Sequence, residues 1–510
     1  MWFRRILLVV AMLVSSCSAL SPATPQPTAT ATLPPSPTLT PSATSTFTPI
    51  PPTETATLTP SATFTLSPTE TATAVPTAIH TPQASVLFTY DNWEFLELPS
   101  NIIARLDTPL IAFLNTNNRT GSAATPLPGN NIQTLYYVSP TNSAARITIK
   151  QFDSSTGDEI YIAPSGDAFA YMRYDGGSIA NGLYIADFNV GITGRVLPLA
   201  SLTQRGIFNT PAWKSDGSML ALAVATGYDI DIFTIERDGA WANLINSGAY
   251  DFWPVWSPDG NYLAFVSDRV TCPSWRPGEV GTCDGSSIEA PTGGHVFVLN
   301  IATGQITQIS DVVVHEPPKW ATPRQITFAS GDPLFGDPER VLYSADIFSN
   351  EVRRIRLNTS DIPLKLSEVW SPSGQQVLFQ AAETSSSIVL AQISGAEIAR
   401  ITDRTFARYG LRADWSPDGT RIAIGGVAGQ CPYGIIVTDN QFTSIASGNP
   451  PPTMCEPQFS PDGRWVAFTG VVPNRDGRVD VYVANQNGFG AVNLTGSLTG
   501  NVKMIGWAGG

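Results

Sequence analysis

The chain has 510 residues, is rich in glycine and proline (42 of each), and carries a formal net charge of −13 at pH 7. This balance argues against a nucleic-acid partner, because a phosphate-binding face needs an excess of Lys and Arg, and we interpret the acidity as favouring solubility. The length suits one large domain, and helix signals are nearly absent, so we expect an all-β fold.

The first segment predicts export. Two arginines precede an apolar run, Ile6 to Val14, that is too short to span a bilayer, so residues 1–16 read as a signal peptide. The run ends in Val14-Ser15-Ser16-Cys17, which resembles the lipobox of bacterial lipoproteins. The resemblance implies lipidation of Cys17 and an extracytoplasmic protein anchored to a bacterial membrane. The alternative is an ordinary secretion signal in which Cys17 is incidental.

The second segment, residues 17–84, begins with that cysteine and continues as Pro, Thr, Ser and Ala with almost no charge. Such a composition cannot bury a core and predicts a disordered or polyproline-II-like stalk. We expect the stalk to hold the folded domain, residues 85–510, away from the membrane.

A five-residue motif then recurs, in which an aromatic residue is followed by Ser-Pro-Asp-Gly or a variant. Full forms begin at Trp256 and Trp415, close variants at Trp213, Trp370 and Phe459, and weaker ones at Ile162 and Trp320. These leading residues, with Trp507, follow one another at steps of 43 to 64 residues. A four-stranded unit recurring near that period predicts the blade of a β-propeller.

The motif has a local physical reason. Proline presets φ for the first corner of a turn, aspartate bonds its own backbone, and glycine takes the positive φ. Trp256-Ser257-Pro258-Asp259-Gly260 therefore predicts a hairpin turn between the innermost strand and the next. We expect the leading tryptophan to pack between blades.

The repeat resembles a known family. Trp-Ser-Pro-Asp-Gly, an apolar strand, and a strand such as Asp480-Val481-Tyr482-Val483 are similar to the WD40-like repeat of TolB-type propellers, over roughly residues 158–510. The same repeat forms the propeller of prolyl-oligopeptidase-type enzymes, so the resemblance implies a fold and not an activity.

Ring closure is expected to involve both termini. Val502 to Trp507 has the pattern of an innermost strand with nothing after it, so we predict eight blades with a split closing blade, and seven as the alternative. The N-terminal strand candidates are Val86 to Tyr90, Trp93 to Leu98, Leu135 to Val138 and Arg146 to Phe152.

Four further cysteines fit an oxidising compartment. Cys272 and Cys283 share one long insertion, and Cys431 and Cys455 sit on connections that open on the same face, so we predict the disulfides Cys272–Cys283 and Cys431–Cys455. A metal site is the weaker alternative, because the chain lacks Cys-x-x-Cys and has three histidines. We expect neither a metal nor a cofactor.

Catalysis receives little support. The chain has no Gly-x-Ser-x-Gly elbow and no trailing hydrolase domain, so we predict that it is not an enzyme. A binding surface would lie where connections enter the inner strands. Its candidate residues are Phe208, Tyr250, Phe252, Trp253, His315, Glu316, Tyr409, Arg412, Met454 and Glu456. The alternative for each ring is packing between blades.

The function predicted from these features is a monomeric, lipid-anchored module that binds or scaffolds a protein at the cell envelope. The rival is a glycan-acting lyase or hydrolase, for which His315 and Glu316 are the candidate pair, or a carbohydrate-binding surface protein. A structural protein without a specific ligand is the third possibility.

Overall fold

The computed structural model describes residues 90–116, 132–152, 159–174, 180–198, 210–285, 291–331, 340–356, 364–381, 387–401, 412–427, 435–437, 453–471 and 478–510. The predictions on the signal peptide, Cys17, the stalk and Val86 to Thr89 lie outside these ranges. Within them, no helix is long and apolar enough to cross a membrane.

The described residues form antiparallel sheets that follow the repeats. The first part of the chain contributes β1 (Asp91–Phe95), the helix α1 (Ile102–Arg105), β2 (Leu110–Thr116), β3 (Gln133–Ser139) and β4 (Asn142–Phe152). Blade 1 comprises β5 (Ile160–Ile162), β6 (Ala168–Arg173), β7 (Gly182–Asp187) and β8 (Ile192–Pro198). Blade 2 comprises β9 (Ala212–Trp213), β10 (Met219–Ala225), β11 (Ile230–Glu236) and β12 (Trp241–Ile245). Blade 3 comprises β13 (Asp251–Trp256), β14 (Tyr262–Ser267), β15 (His295–Asn300) and β16 (Ile306–Gln308).

The later blades repeat this order. Blade 4 comprises β17 (Lys319–Trp320), β18 (Gln325–Ala329), β19 (Leu342–Asp346) and β20 (Glu351–Arg354). Blade 5 comprises β21 (Leu364–Trp370), β22 (Gln376–Ala381), β23 (Ile388–Gln392) and β24 (Glu397–Ile401). The described strands of blade 6 are β25 (Arg412–Trp415), β26 (Ile422–Gly425) and β27 (Ile435–Val437). Blade 7 comprises β28 (Cys455–Phe459), β29 (Trp465–Val471), β30 (Val479–Asn485) and β31 (Val492–Asn493), and β32 (Asn501–Ala508) ends the chain. The all-β propeller of four-stranded antiparallel sheets is confirmed.

An eighth sheet combines the two ends of the folded region, in the order β32-β2-β3-β4, and we name it the closing blade. β32 pairs with β2 along its whole length, from Thr116 opposite Asn501 to Leu110 opposite Ala508. Phe113 of this sheet packs with Val481 of blade 7, and Ala508 packs with Phe169 of blade 1. The split sheet predicted from the terminal inner-strand pattern is therefore present.

One strand assignment at the N-terminus was wrong. The segment Trp93 to Leu98 was expected in the closing blade, but β1 is instead a fifth, outermost strand of blade 1, beside β8. Ion pairs to blade 1 explain the choice, because Arg195 of β8 binds Asp91 at 2.7 Å and Arg173 of β6 binds Glu94 at 3.2 Å. The second strand of the closing blade is β2, a segment that was not among the candidates.

The leading tryptophans join neighbouring blades. The indole N–H of Trp213, Trp320, Trp415 and Trp507 donates to the backbone carbonyl of Tyr161, Val255, Val369 and Gln458, respectively, at 2.9 to 3.3 Å. Each acceptor directly precedes the leading residue of another repeat. In these four residues the ring buries apolar area between sheets while its polar atom is satisfied. The indole N–H of Trp256 and that of Trp370 have no hydrogen-bond partner among the described residues.

The Ser-Pro-Asp-Gly turns are closed by their own side chains. Ser257 Oγ donates to Asp259 at 2.6 Å and accepts from the backbone N–H of Tyr262 at 2.9 Å. The backbone of Gly260 has φ near 69°, a conformation that favours glycine. Because these turns and the connections between third and fourth strands share one end of the sheets, we name that end the turn face. The opposite end, the loop face, carries the connections between second and third strands and those entering the inner strands.

Candidate functional site

The loop face carries a pocket of about 660 Å³ at the edge of blades 2 and 3, which we name the loop-face pocket. Its described lining comes from the β10–β11 connection, the segment before β13, and the long β14–β15 connection. These residues are Gly227, Tyr228, Tyr250, Trp275, Pro277, Gly278, Thr282, Cys283, Asp284 and Gly285. They offer aromatic faces, a hydroxyl and a carboxylate, a set suited to recognition.

Aromatic side chains form the wall of the pocket. The rings of Tyr250 and Trp275 are stacked, with centroids 5.0 Å apart and planes at 22°. Tyr228 stands at the rim with 60% of its surface exposed. The stacked pair is almost wholly buried, at 6% and 9% exposed, so it forms a rigid base, and the exposed tyrosine offers a partner an apolar ring and a hydroxyl.

The segment that carries Trp275 is closed by a disulfide. Cys272 and Cys283 are bonded, with their Cα atoms 5.9 Å apart, so the first predicted pair is present in the structure. Within the loop, Ser274 Oγ donates to the Glu279 carboxylate at 2.6 Å. The backbone N–H of Trp275 donates to the carbonyl of Gly248, before the loop, at 2.8 Å. A closed loop tied to the preceding segment fixes the position of its tryptophan.

Buried charges hold the loop against blades 2 and 3. Arg276 pairs with Asp229 and, at 3.3 Å, with Asp231. Arg269 pairs with Asp251 at 2.7 Å. All three aspartates are buried, so the low local dielectric makes both their pairing and any loss of it energetically large.

Asp268 joins the pocket to this cluster. Its carboxylate accepts the backbone N–H of Tyr250 and the indole N–H of Trp275, each at 2.8 Å. Burial raises the pKa of Asp268 to about 6, against these hydrogen bonds. Burial, and then the Asp229 carboxylate, raise the pKa of Asp231 to about 7. Two of the buried carboxyl groups beneath the pocket, Asp268 and Asp231, therefore have pKa values raised towards neutral pH.

The aromatic residues of the predicted binding face are mostly buried. Tyr250, Phe252 and Trp253 all belong to one apolar cluster with Val266 and Trp275. Tyr250 also lines the pocket, whereas Phe252 is wholly buried. Trp253 is buried with a positive φ of 53° beside Pro254. Packing between blades, the alternative named for each ring, describes Phe252 and Trp253.

The other described candidates are spread over blades 4, 6 and 7. Glu316 pairs with the buried Arg340, and burial, followed by the Glu368 carboxylate, raises the pKa of Glu316. His315 contacts Thr292 Oγ1 at 3.3 Å. The residues proposed as a catalytic pair thus take different partners.

The remaining candidates occupy other surroundings. Arg412 is exposed at the start of β25, Met454 is fully buried, and Glu456 is half-buried with a φ of 49°. Phe208, Tyr409 and Cys431 lie outside the described residues. Cys455 is disulfide-bonded, and its pairing with Cys431 stays a prediction.

Sequence reasoning missed two residues that shape the pocket, Tyr228 and Trp275. The available signal was the pair Cys272 and Cys283, because a disulfide marks a rigid loop, and Trp275 is the large ring inside it. Among the described residues, no group of His, Cys, Asp and Glu is arranged to hold a metal ion.

Comparison with known proteins supports the family resemblance over part of the chain. No protein-family model matches the chain. Over 145 residues the chain is 32% identical to the protein TolB homolog of Chlorobium luteolum, a match covering 28% of this chain and 26% of that relative. This propeller is TolB-like. The match spans about a quarter of the relative's length.

Solved structures match the chain at low identity and low TM-score. TolB from Acinetobacter baumannii is 14% identical, with 78% of this chain and 83% of that chain covered and a TM-score of 0.32. Oligogalacturonate lyase from Vibrio parahaemolyticus is 12% identical, with 73% and 96% covered and a TM-score of 0.39. A structure titled as the eukaryotic initiation factor is 12% identical, with 78% and 98% covered and a TM-score of 0.48. TM-scores this low carry no functional inference.

Proposed function

We propose that this protein is an extracytoplasmic binding module, anchored through Cys17, whose TolB-like propeller recognises a protein partner at the cell envelope through the loop-face pocket. The observation that carries the proposal is the disulfide-closed loop, which holds Trp275 against Tyr250 beside the exposed Tyr228. Rigid aromatic residues around a concave surface are the usual anchors of protein interfaces.

The chemistry of the lining favours recognition over catalysis. Tyr250 and Trp275 are committed to stacking, and the carboxylate of Asp268 behind them accepts the indole N–H of Trp275 and the backbone N–H of Tyr250. His315 and Glu316 lie outside this pocket, beside Thr292 and Arg340. The partial identity to a TolB homolog supports an extracytoplasmic protein-binding role.

The test compares the full-length protein with Tyr228→Ala and with the matched control Phe348→Ala. Tyr228 and Phe348 are similarly exposed, at 60% and 62%, but lie on opposite faces of the propeller. After crosslinking in the native envelope, a discrete protein should be recovered with wild type and with Phe348→Ala, and its yield should fall severalfold with Tyr228→Ala. Equal recovery from all three proteins would contradict the proposed site.

A second experiment distinguishes a glycan partner from a protein partner. The purified full-length protein is incubated with envelope polysaccharide, and both retention and the appearance of shorter chains are measured. Retention lost in Tyr228→Ala would replace the protein partner with a carbohydrate at the same pocket, and shortened chains would replace binding with catalysis.

A further inference from the structure

A second pocket, of about 600 Å³, lies on the turn face between blades 1 and 2, and we name it the turn-face pocket. Its described lining comes from β1 and from three turns of the two blades. The residues are Tyr90, Trp93, Asp187, Asn189, Val190, Ile192, Asp216, Ser218, Glu236, Arg237 and Asp238. This pocket is at the opposite end of the sheets from the loop-face pocket.

One wall of the pocket is aromatic and fixed in place. The rings of Tyr90 and Trp93 meet edge to face, with centroids 3.9 Å apart. The Tyr90 ring lies so close to Gly194 and Gly239 that a Cβ at either position would come within 2.9 Å of it. Tyr90 also donates its hydroxyl to the carbonyl of Arg237 at 3.2 Å. Trp93, in contrast, keeps 51% of its surface exposed.

Four acidic residues also line the pocket, Asp187, Asp216, Glu236 and Asp238, against one basic residue, Arg237. The Arg237 guanidinium is already engaged, because it binds Asp167 at 2.8 Å and Asp187 at 3.9 Å and donates to the Gly217 carbonyl at 2.6 Å.

The two basic residues near the pocket, Arg237 and Lys214, are both paired with carboxylates. Burial acts to raise the pKa of Asp167, but hydrogen bonds from Arg237, Ser165 and Asn189 outweigh it and hold that pKa at about 2. Lys214 pairs with Asp216 at 2.9 Å. Carboxylates therefore outnumber cations around the pocket, and the aromatic wall adds the negative face of a π system.

We propose that the turn-face pocket binds a cationic side chain, Lys or Arg, presented by a basic segment of a partner protein. The ammonium or guanidinium group would lie against the exposed face of Trp93, and Glu236 and Asp238 would neutralise it. Attraction of a cation to an indole face is strongest when the charge is partly desolvated, as it would be between Trp93 and the turns.

The segment that precedes the propeller does not supply this occupant. Residues 18–89 contain no Lys or Arg, so the predicted stalk brings no cation to the pocket. A second copy of a chain with net charge −13 would meet electrostatic repulsion at an acidic surface. Charge complementarity therefore selects a basic segment of a different protein.

The test uses the full-length protein and a labelled glycine-rich hexapeptide carrying two arginines, with its two-glutamine counterpart as control probe. Fluorescence anisotropy should show saturable binding of the arginine peptide that weakens with added salt, and no binding of the glutamine peptide. Trp93→Ala and Trp93→Leu should each weaken binding about three- to thirtyfold, the range of a cation–π contact. Asp238→Asn should weaken binding about two- to fivefold.

The matched control is Trp241→Ala. Trp241 is exposed to 49% on β12, outside the pocket lining, so its replacement should leave binding unchanged. Thermal midpoints establish that each variant is folded, and Trp93→Leu keeps apolar bulk if alanine disturbs β1. Equal weakening by Trp241→Ala, equal binding of the glutamine peptide, or no saturable binding would each overturn the proposal.

Discussion

Replacing Asp231 by asparagine should make the stability of this protein less dependent on pH. The carboxyl group is buried beneath the disulfide-closed loop, where burial and Asp229 raise its pKa from 3.8 to about 7. A group whose pKa is higher in the folded state stabilises that state while it is protonated. This stabilisation is complete below pH 3.8 and is lost as the pH rises through about 7.

The size follows from the same two pKa values. Proton binding at Asp231 contributes about 2.5 kcal/mol more to the free energy of unfolding at pH 5 than at pH 8. Asparagine has the same shape as the protonated acid and does not titrate. Asp231→Asn should therefore remove the part of the stability difference between pH 5 and pH 8 that Asp231 contributes. The native partners, Asn243 and Arg276, remain in place.

The assay is urea unfolding followed by tryptophan fluorescence at pH 5, 6, 7 and 8. Wild type should lose stability across this range, and Asp231→Asn should lose about 2.5 kcal/mol less than wild type. Asp107→Asn, which changes an exposed carboxylate, is the control and should behave as wild type. If the free energy of unfolding changes with pH by the same amount in wild type and in Asp231→Asn, the carboxyl group under the loop does not have a raised pKa.

Three further predictions concern the loop, the ring and the anchor. Cys272→Ser opens the loop and should lower the free energy of unfolding by about 3 kcal/mol; chemical unfolding with and without reductant checks this, and wild-type stability in the variant would contradict it. Deleting residues 501–510 removes the inner strand of the closing blade and should destabilise the protein by on the order of 5 kcal/mol. Deleting residues 1–84 should leave the thermal midpoint nearly unchanged. If both deletions shift the thermal midpoint by equal, small amounts, β32 does not close the ring. Cys17→Ser should release the protein from membranes or leave it unprocessed, and normal processing with wild-type membrane partition in a fractionation experiment would rule out lipidation.

The propeller could be predicted because its information is local and repeated. Each Ser-Pro-Asp-Gly turn closes through its own side chains, as Ser257 and Asp259 show. Each leading tryptophan stands at the same position of its repeat, directly before the turn. The placement of β1 could not be predicted, because an outermost strand is chosen by long-range ion pairs such as Arg195 with Asp91. β2 went unnoticed because Leu110 to Thr116 precedes no turn motif of the repeat.

The candidate site could be predicted only in part. The choice of the loop face and the Cys272–Cys283 pairing followed from topology and spacing, and Tyr250 does line the pocket there. Burial could not be predicted from the sequence, since Tyr250, Phe252 and Trp253 carry the same aromatic signal and are all buried, yet of the three only Tyr250 is in the described lining of the pocket. Tyr228 and Trp275 depend on how a loop folds against the preceding blade, which no local pattern encodes.

The most direct test of the binding role is site-specific photocrosslinking in the native envelope. A benzophenone side chain replaces Tyr228 at the loop-face pocket in one protein and Phe348 on the turn face in another, two positions of similar exposure. The account predicts one discrete crosslinked protein from position 228, identified by mass spectrometry and absent from position 348. The same products from both positions, or none from position 228 while the protein is folded and at the membrane, would contradict it.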